Sequence, residues 1–207
     1  MTDSRLYCIL DLGYVNAAEA EQAVAALLAG GADLLQLRAK NQSLDLIEAV
    51  ARRVLPLCRA AGVPFILNDH AGLAATLGAD GVHLGQDDGS LSAARALTGE
   101  TMFIGRSTHS LGQARAALAE GFDYIGFGPL FPTPTKAGRP AIGLADIAAM
   151  EHDVGSHIPA FCIGGIHPGN LAPVLAAGAR RIVMVSALLQ AADVQAATRG
   201  VANALQS

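Results

Sequence analysis

Residues able to hold an anion follow a short apolar run in the segment Asp123–Lys136, DYIGFGPLFPTPTK. The segment opens as a predicted buried strand and breaks at Gly-Pro into a loop with Thr133, Thr135 and Lys136. Two hydroxyls and an ammonium just past a strand end can bind a phosphate, and Pro134 limits the freedom of the loop. An isolated TPTK is better explained as a solvated loop, so the other strand ends decide between the two interpretations.

A second set of charges ends another predicted strand, Gln36-Leu37-Arg38-Ala39-Lys40. Side chains alternate along a strand, which places Gln36, Arg38 and Lys40 on one face. Two cations and an amide facing inward are costly to bury unless they meet an anion. The alternative is that Lys40 is solvated and that only Arg38 faces inward.

Two carboxylates, Asp69 and Asp88, follow the third and fourth predicted strands. Adjacent parallel strands would bring them close enough to share one hard cation. Mg²⁺ is commonly bound through one or two carboxylates, with phosphate oxygens and water completing its shell. We therefore expect one Mg²⁺ ion, although either aspartate could instead cap the helix that follows it.

The fifth predicted strand runs into Arg106-Ser107-Thr108-His109-Ser110. Ser107 could donate a hydrogen bond to a phosphate, and Ser110 has the residue type of a helix N-cap. His109 could act as a general base, but no acid partner for it is apparent in the sequence.

The last two predicted strands end in Gly164-Gly165 and Val185-Ser186. In barrels of alternating strands and helices, the loops after strands seven and eight often bind a phosphate through backbone N–H groups. Glycines allow a ligand to approach the backbone closely, although a tight turn alone could also require them. The location favours a phosphate site.

Short apolar runs alternate with amphipathic Ala/Leu-rich stretches along the whole chain. This alternation predicts eight β-α units in one domain, residues 1–207, with the α/β fold of a (β/α)₈ TIM barrel. The predicted strands are Leu6–Asp11, Leu34–Arg38, Pro64–Asn68, Gly81–Leu84, Met102–Arg106, Tyr124–Phe127, Ala160–Ile163 and Arg181–Val185. The predicted helices lie near Ala17–Ala29, Leu44–Ala61, Ala71–Leu77, Leu91–Leu97, Leu111–Glu120, Leu144–His152, Asn170–Ala177 and Ala187–Ala204.

An internal repeat supports the barrel. The segments AGGADLLQLR, TLGADGVHLG, AEGFDYIGFG and AAGARRIVMV each run from a helix end through glycine into a strand. Four such segments, each standing for two β-α units, account for eight strands.

Composition excludes several classes of function. A formal charge of −4 argues against nucleic-acid binding. We see no signal peptide and no apolar run of membrane-spanning length, so we expect a cytoplasmic protein that does not enter membranes. The scattered Cys8, Cys58 and Cys162 are typical of buried hydrophobes in a reducing compartment. The sequence allows a homo-oligomer without specifying one.

Two anion sites therefore emerge, one built from backbone groups and one from cations beside two carboxylates. The second suits a diphosphate–Mg²⁺ complex. Two phosphorylated small-molecule substrates are implied, which indicates a transferase with pyrophosphate as the leaving group.

In this order the motifs resemble the thiamine-phosphate synthase family, and the resemblance covers nearly the whole chain. The matching stretches are QLRAK at Gln36–Lys40, ND at Asn68-Asp69, ADGVHLGQDD at Ala79–Asp88, RSTH at Arg106–His109, DYIGFGPLFPTPTK at Asp123–Lys136, IGGI at Ile163–Ile166 and VS at Val185-Ser186.

The resemblance implies a barrel enzyme that joins an aminopyrimidine diphosphate to a thiazole phosphate with Mg²⁺, by a dissociative substitution. It assigns the diphosphate to Gln36, Leu37, Arg38, Ala39, Lys40, Asn68, Ser107 and Lys136, with Arg38, Lys40, Ser107 and Lys136 as the catalytic group. It assigns Mg²⁺ to Asp69 and Asp88, and the thiazole phosphate to Thr133, Pro134, Thr135, Gly165, Val185 and Ser186.

The chain departs from the family pattern at Ala39, where an acidic residue is common. Strand alternation points this side chain away from Arg38 and Lys40, so we expect activity to survive. Two rival functions remain: a thiazole tautomerase with His109 as base, and a non-catalytic barrel that binds phosphate ligands. The other histidines, including His83, are interpreted as structural or surface residues.

Overall fold

The computed structural model describes residues 1, 3–133 and 140–206, and its strands close into a barrel. Eight parallel strands pair in sequence order, and the last pairs with the first. They are β1 (Leu6–Asp11), β2 (Leu34–Arg38), β3 (Phe65–Asn68), β4 (Gly81–Leu84), β5 (Phe103–Thr108), β6 (Tyr124–Phe127), β7 (Ala160–Cys162) and β8 (Ile182–Met184). The predicted (β/α)₈ barrel is confirmed.

Helices connect the strands and form the outer layer. They are α1 (Ala20–Ala29), α2 (Leu44–Ala61), α3 (Ala71–Leu77), α4 (Leu91–Thr98), α5 (Leu111–Glu120), α6 (Ile147–Met150), α7 (Leu171–Ala176), α8 (Ser186–Leu189) and α9 (Val194–Gln206). Three of them begin at a serine N-cap: Ser43, Ser90 and Ser110 cap α2, α4 and α5 through their hydroxyls. No helix of the described residues is long and apolar enough to span a bilayer.

The strands bury two separate sets of side chains. The outward set packs against the helices and forms the larger core, which includes the three buried free cysteines. The inward set fills the barrel and consists of Tyr7, Ile9, Leu34, Ile66, Tyr124, Phe161 and Val183. Three of its members are aromatic and meet edge to face, with ring centroids 5.2–6.1 Å apart. This filling gives the upper, carboxyl end of the barrel a solid floor.

Three predicted elements differ from the structure by more than one residue at an end. Strand β5 continues past Arg106 because Ser107 and Thr108 pair with Gly126 and Phe127 of β6. The predicted helix Ala187–Ala204 is two helices, α8 and α9, with an interruption between them. The predicted helix Leu144–His152 is shorter at its start, and after α6 it continues as a π-helical turn over Glu151–Gly155.

The internal repeat has a structural basis at the amino end of the barrel. In three of the four segments an aspartate precedes the even-numbered strand and accepts a backbone N–H from the start of the preceding strand. Asp33 accepts from Leu6 at 2.9 Å, Asp80 from Phe65 at 2.8 Å and Asp123 from Ile104 at 2.7 Å. These carboxylates satisfy strand ends that would otherwise lack a partner.

The fourth segment departs from this pattern. Arg180 stands where the other segments carry aspartate, and its backbone N–H donates to the Glu151 carboxylate at 3.1 Å. Glu151 is buried, and its Oε2 has no hydrogen-bond partner among the described residues. Burial raises the pKa of Glu151, against the hydrogen bond from Arg180 and the charges of Arg181 and Arg180.

Candidate active site

Two adjoining cavities open at the carboxyl ends of the strands. The narrower one, about 50 Å³, penetrates the barrel and is lined by Tyr7, Ile9, Gln36, Arg38, Asn68, His83, Ser107, Gly126, Ile163, Val183 and Val185. The wider one, about 420 Å³, lies over β7 and β8. Ile163, Val183 and Val185 line both cavities, so the two form one continuous site.

Arg38 reaches the narrow cavity from the end of β2 and is held by a buried carboxylate. Its Nη1 donates to Asp11 Oδ2 at 2.5 Å, and the register of the barrel places these two residues side by side. Asp11 also accepts the Gly13 N–H at 2.9 Å. Asp11 was not among the predicted site residues, although it ends the first predicted strand. The sequence predicted that the inward-facing Arg38 needs an anion, and Asp11 of the same chain supplies one.

Lys40 pairs with Asp69 and remains about half exposed, with 47% of its side chain accessible. This places Lys40 at the rim rather than inside the barrel. Asp69 in turn contacts Asp88, so two carboxylates and one ammonium meet above β3 and β4. Asp69 has a positive φ of 68°, a conformation that is strained for a residue with a side chain.

The alternative roles of the two aspartates as helix caps are not supported. Helix α3 follows His70 without a side-chain cap, and Ser90 caps α4. Asp88 instead accepts the Gly85 N–H at 2.7 Å. The Arg106 guanidinium donates to the carbonyls of Gly85 and Gly89, at 2.9 and 2.8 Å, and so closes the loop that carries Asp88.

The pKa values of Asp69 and Asp88 shift in opposite directions. Burial raises the pKa of the Asp69 carboxyl; Lys40 lowers it and Asp88 raises it further, leaving it above its ordinary value. Burial also raises the pKa of Asp88, but hydrogen bonds from Asp69 and Gly85 and the charges of Lys40 and Arg106 outweigh it. The net pKa of Asp88 is below its ordinary value, as expected for two carboxylates that compete for one proton or cation.

Polar groups also line the floor of the narrow cavity. Tyr7, Gln36, His83 and Tyr124 are buried and hydrogen-bonded to one another, and His83 reaches Ser107 at 3.0 Å. Burial raises the pKa of both tyrosines well above the ordinary value, so both carry neutral hydroxyls. His83 was interpreted as a structural or surface residue, and it is buried, hydrogen-bonded and part of the lining of the narrow cavity. Its position on the inward face of β4 was the signal that could have identified it.

Leu37 and Ala39, which were assigned to the diphosphate, turn their side chains toward the helices. They are 1% and 8% exposed. Any contact from them to a ligand would therefore involve the backbone. The expectation that Ala39 points away from Arg38 and Lys40 is confirmed. Asn68 does line the narrow cavity, as predicted.

The wide cavity contains four residues of the predicted thiazole phosphate site, namely Thr133, Gly165, Val185 and Ser186. Gly164 and Gly165 have positive φ values of 102° and 64°. A Cβ at these positions would lie 2.4 Å from Pro129 Cα and 2.8 Å from the Pro132 carbonyl, respectively. Close packing of the β6 loop therefore requires both glycines, as in the tight-turn alternative. Pro134, Thr135 and Lys136 lie outside the described residues.

His109 is not among the residues that line either cavity. Its Nδ1 lies 2.5 Å from the Gly128 carbonyl, which makes Nδ1 the donor and leaves Nε2 as the basic nitrogen of the neutral ring. Ser110 caps α5 through Gln113 N–H at 3.2 Å, so the N-cap interpretation of this serine is confirmed.

Taken together, the fold and the site define a (β/α)₈ barrel enzyme with a two-part polar site at the carboxyl ends of its strands. The family model described as "Thiamine monophosphate synthase" matches residues 6–188. The chain belongs to this family, whose relatives are named for a transferase activity.

Individual relatives support this assignment. The chain is 51% identical over 172 residues to the thiamine-phosphate synthase of Thermus thermophilus, covering 83% of this chain and 82% of that protein. It is 41% identical over 200 residues to that of Chloroflexus aurantiacus, covering 96% and 91%. The solved thiamine phosphate pyrophosphorylase of Pyrococcus furiosus superposes with a TM-score of 0.87 at 31% identity, covering 98% of this chain and 95% of that one.

Proposed function

We propose that this protein is a thiamine-phosphate synthase that joins 4-amino-2-methyl-5-(diphosphooxymethyl)pyrimidine to 4-methyl-5-(2-phosphoethyl)thiazole, or to its carboxylated precursor. The products would be thiamine phosphate and pyrophosphate. One observation carries the proposal beyond family membership: two cavities of different chemistry meet at Ile163, Val183 and Val185. A condensation of two phosphorylated molecules needs such an arrangement, because both reacting atoms must be held next to each other.

The narrow cavity, together with the rim above β3 and β4, would take the pyrimidine and its diphosphate. Arg38 is fixed by Asp11 at one side, and Ser107 presents its hydroxyl from β5 at the other. Lys40 stands at the rim, half exposed, where the charged end of the substrate would lie. Gln36 and Asn68 add amide groups between them. Lys136, which lies outside the described residues, is proposed to contribute a further cation.

Asp69 and Asp88 fit a single Mg²⁺ ion. Their carboxylates already contact each other, an arrangement that needs a proton or cation between them. No group of three or more His, Cys, Asp or Glu within the described part of the chain could hold a metal, which suits an ion whose other ligands are phosphate oxygens and water. When bound, Mg²⁺ would neutralise charge on the diphosphate. Lys40, which now pairs with Asp69, would then be released toward the same anion.

The wide cavity would take the thiazole phosphate. Gly165, Val185 and Ser186 line it with backbone groups at the ends of β7 and β8, and Thr133 adds a hydroxyl. Pro134 and Thr135 are proposed to extend this subsite. Ile163 and Val185 provide the apolar wall that the two rings would share.

The residues of the site favour departure of the leaving group before attack. Arg38 and Lys40 donate hydrogen bonds, Ser107 places a hydroxyl in the cavity, and none of the three is placed as a nucleophile. Stabilising the departing diphosphate allows a carbocation on the aminopyrimidine, which the thiazole nitrogen then captures. The buried floor of neutral hydroxyls excludes bulk water, which would otherwise quench that cation.

Separate binding of the two substrates tests the proposed division of the site. Arg38→Gln should weaken calorimetric binding of the pyrimidine diphosphate at least tenfold and leave thiazole phosphate binding unchanged, because one charged hydrogen bond contributes about 1.5–3 kcal/mol. Thr133→Val should show the reverse pattern. If both variants weaken both substrates equally, the assignment of the two cavities is wrong.

A thiazole tautomerase is the rival function, and it would need His109 as base although His109 lines neither cavity. Such an isomerase would need no pyrimidine diphosphate and would release no pyrophosphate. His109→Asn should abolish isomerisation of the thiazole phosphate if this candidate is correct, and should leave pyrophosphate release largely intact if it is not.

A further inference from the structure

A continuous chain of hydrogen bonds crosses the barrel floor and ends at Ser107. The Gln36 amide nitrogen donates to the Tyr7 hydroxyl, which lies 3.3 Å from the Tyr124 hydroxyl. Tyr124 lies 3.2 Å from His83 Nδ1, and His83 Nε2 lies 3.0 Å from Ser107 Oγ. Five residues on five different strands are therefore linked beneath the proposed diphosphate site.

With the Gln36 amide nitrogen facing Tyr7, only one direction of donation along this chain satisfies every buried hydroxyl. An amide N–H can only donate, so the Tyr7 oxygen accepts from Gln36. Within the described residues Tyr7 has one other hydrogen-bond partner, Tyr124, and so the Tyr7 proton must go there. Tyr124 must then donate to His83 Nδ1. The reverse direction would leave the Tyr7 proton buried among Ile9, Leu34 and Phe161 without an acceptor.

This direction fixes the state of the histidine. With Nδ1 accepting from Tyr124, neutral His83 carries its proton on Nε2 and donates to Ser107 Oγ. Ser107 cannot then direct its own proton toward His83. The hydroxyl proton must turn to another acceptor, and Ser107 lines the narrow cavity where the diphosphate would lie.

We propose that His83 is a positioning residue that holds the Ser107 hydroxyl as a donor to the leaving diphosphate, with its tautomer set by Tyr124, Tyr7 and Gln36. The role of Ser107 in this statement rests on the proposed function. The direction of the hydrogen-bond chain does not, and it can be measured without substrate.

The first test is ¹⁵N NMR of the histidine rings in the intact protein, with His83 assigned by loss of its signals in His83→Gln. The proposal predicts a neutral ring with Nε2 protonated and Nδ1 unprotonated at neutral pH. A proton on Nδ1, or a doubly protonated ring, would overturn it. Tyr124→Phe should convert the signal to a mixture of tautomers, because Nδ1 has lost its donor. His157→Gln, an exposed histidine at the other end of the barrel, is the matched control and should leave the His83 signals unchanged.

The second test is a double-mutant cycle on kcat/KM for the pyrimidine diphosphate. Tyr124→Phe keeps the ring and its packing, and should lower kcat/KM roughly tenfold, within the coupling range of one hydrogen-bond network. In a Ser107→Ala background it should have no further effect, because Tyr124 acts through Ser107. The KM for thiazole phosphate should stay unchanged. The melting temperature should fall, because the buried Tyr7 hydroxyl loses its acceptor. It should fall by the same amount in both backgrounds, so a loss of stability alone would give additive effects on kcat/KM.

Tyr7→Phe provides a graded second variant. It leaves the Tyr124 donation to His83 in place and should lower kcat/KM less than Tyr124→Phe. Additive effects of Tyr124→Phe and Ser107→Ala would overturn the proposal. A wild-type protein that forms no thiamine phosphate would overturn the proposed function instead, and the tautomer measurement would still decide the direction of the chain.

Discussion

Arg38 and Lys40 are each paired with a carboxylate before any substrate arrives. Asp11 holds Arg38, and Asp69 holds Lys40. The pairs differ in environment: the Arg38–Asp11 pair is largely buried, whereas Lys40 is about half exposed. A buried ion pair holds both side chains in one geometry, whereas the cation of an exposed pair can readily change its partner. We infer that Arg38 is a rigid contact and that Lys40 is an adaptable one.

Asp11→Asn tests the rigid contact. Asparagine can still accept the Gly13 N–H, but Arg38 loses its charged partner. The variant should lose about 1–3 kcal/mol of unfolding free energy, because a buried charged hydrogen bond is broken. The KM for the pyrimidine diphosphate should rise, since the guanidinium is no longer oriented. Urea denaturation and steady-state kinetics measure the two effects, and an unchanged KM would contradict the role of Asp11.

Most single residues of the candidate site could be predicted from the residue types at the ends of the strands. Gln36, Arg38, Asn68 and Ser107 were predicted from strand alternation and family resemblance, and all four line one cavity. Asp11 and His83 were missed because a strand end or a lone inward histidine is not distinctive in sequence. Their roles depend on partners from neighbouring strands, and that pairing exists only once the barrel has closed.

Glycines set how closely the elements pack. Gly105 on β5 faces the Tyr124 ring, and a Cβ at this position would lie 2.0 Å from Tyr124 Cζ. The glycine thus makes room for the aromatic floor on which the hydrogen-bond chain depends. The sequence predicted a strand here but could not show that the space of one missing side chain is filled by a tyrosine from the next strand.

Gly105→Ala should therefore destabilise the barrel and disturb the site together. Overpacking of a buried position typically costs about 1–3 kcal/mol, and here the displaced ring carries the donor to His83. Thermal and urea denaturation should show the loss of stability, and kcat should fall with it.

Gly200→Ala in α9 is the matched control. Nothing lies within 4 Å of a Cβ placed there, so the change should stabilise the protein by about 0.5–1 kcal/mol. Equal behaviour of the two alanine variants would contradict the packing argument.

At the amino end of the barrel, three aspartates accept backbone N–H groups from the starts of strands, and the fourth equivalent position has no aspartate. Where Arg180 replaces the fourth aspartate, buried Glu151 accepts its backbone N–H, and burial raises the pKa of that glutamate. A carboxyl group with a raised pKa in the folded state binds its proton more tightly there than in the unfolded chain. It contributes stability at low pH, and that contribution is lost as the pH rises through the folded pKa.

Glu151→Gln should remove this dependence. Between pH 4 and pH 7 the unfolding free energy of the variant should rise relative to that of the wild type, because only the wild type must ionise a buried group. Urea denaturation at both pH values measures the difference. Glu120→Gln, on the exposed end of α5, is the control and should not reproduce the effect. A difference that shrinks toward neutral pH would contradict the assignment.

The sequence predicted the barrel because eight short apolar runs alternate with helices, and a repeat every two units pointed to the same architecture. It could not predict where helices break, as at the α8–α9 junction, because tertiary packing and not local propensity sets those boundaries. Nor could it show that Gly164 and Gly165 accommodate the β6 loop, since that contact joins residues far apart in the chain.

The most direct measurement mixes the purified protein with the pyrimidine diphosphate, the thiazole phosphate and Mg²⁺, and follows thiamine phosphate and pyrophosphate together. We predict that both products form in equal amounts and that formation stops when EDTA removes the metal. Asp88→Asn should reduce the rate at low Mg²⁺ concentration and recover in part when Mg²⁺ is raised. Absence of both products, with thiazole phosphate still bound, would contradict the synthase assignment.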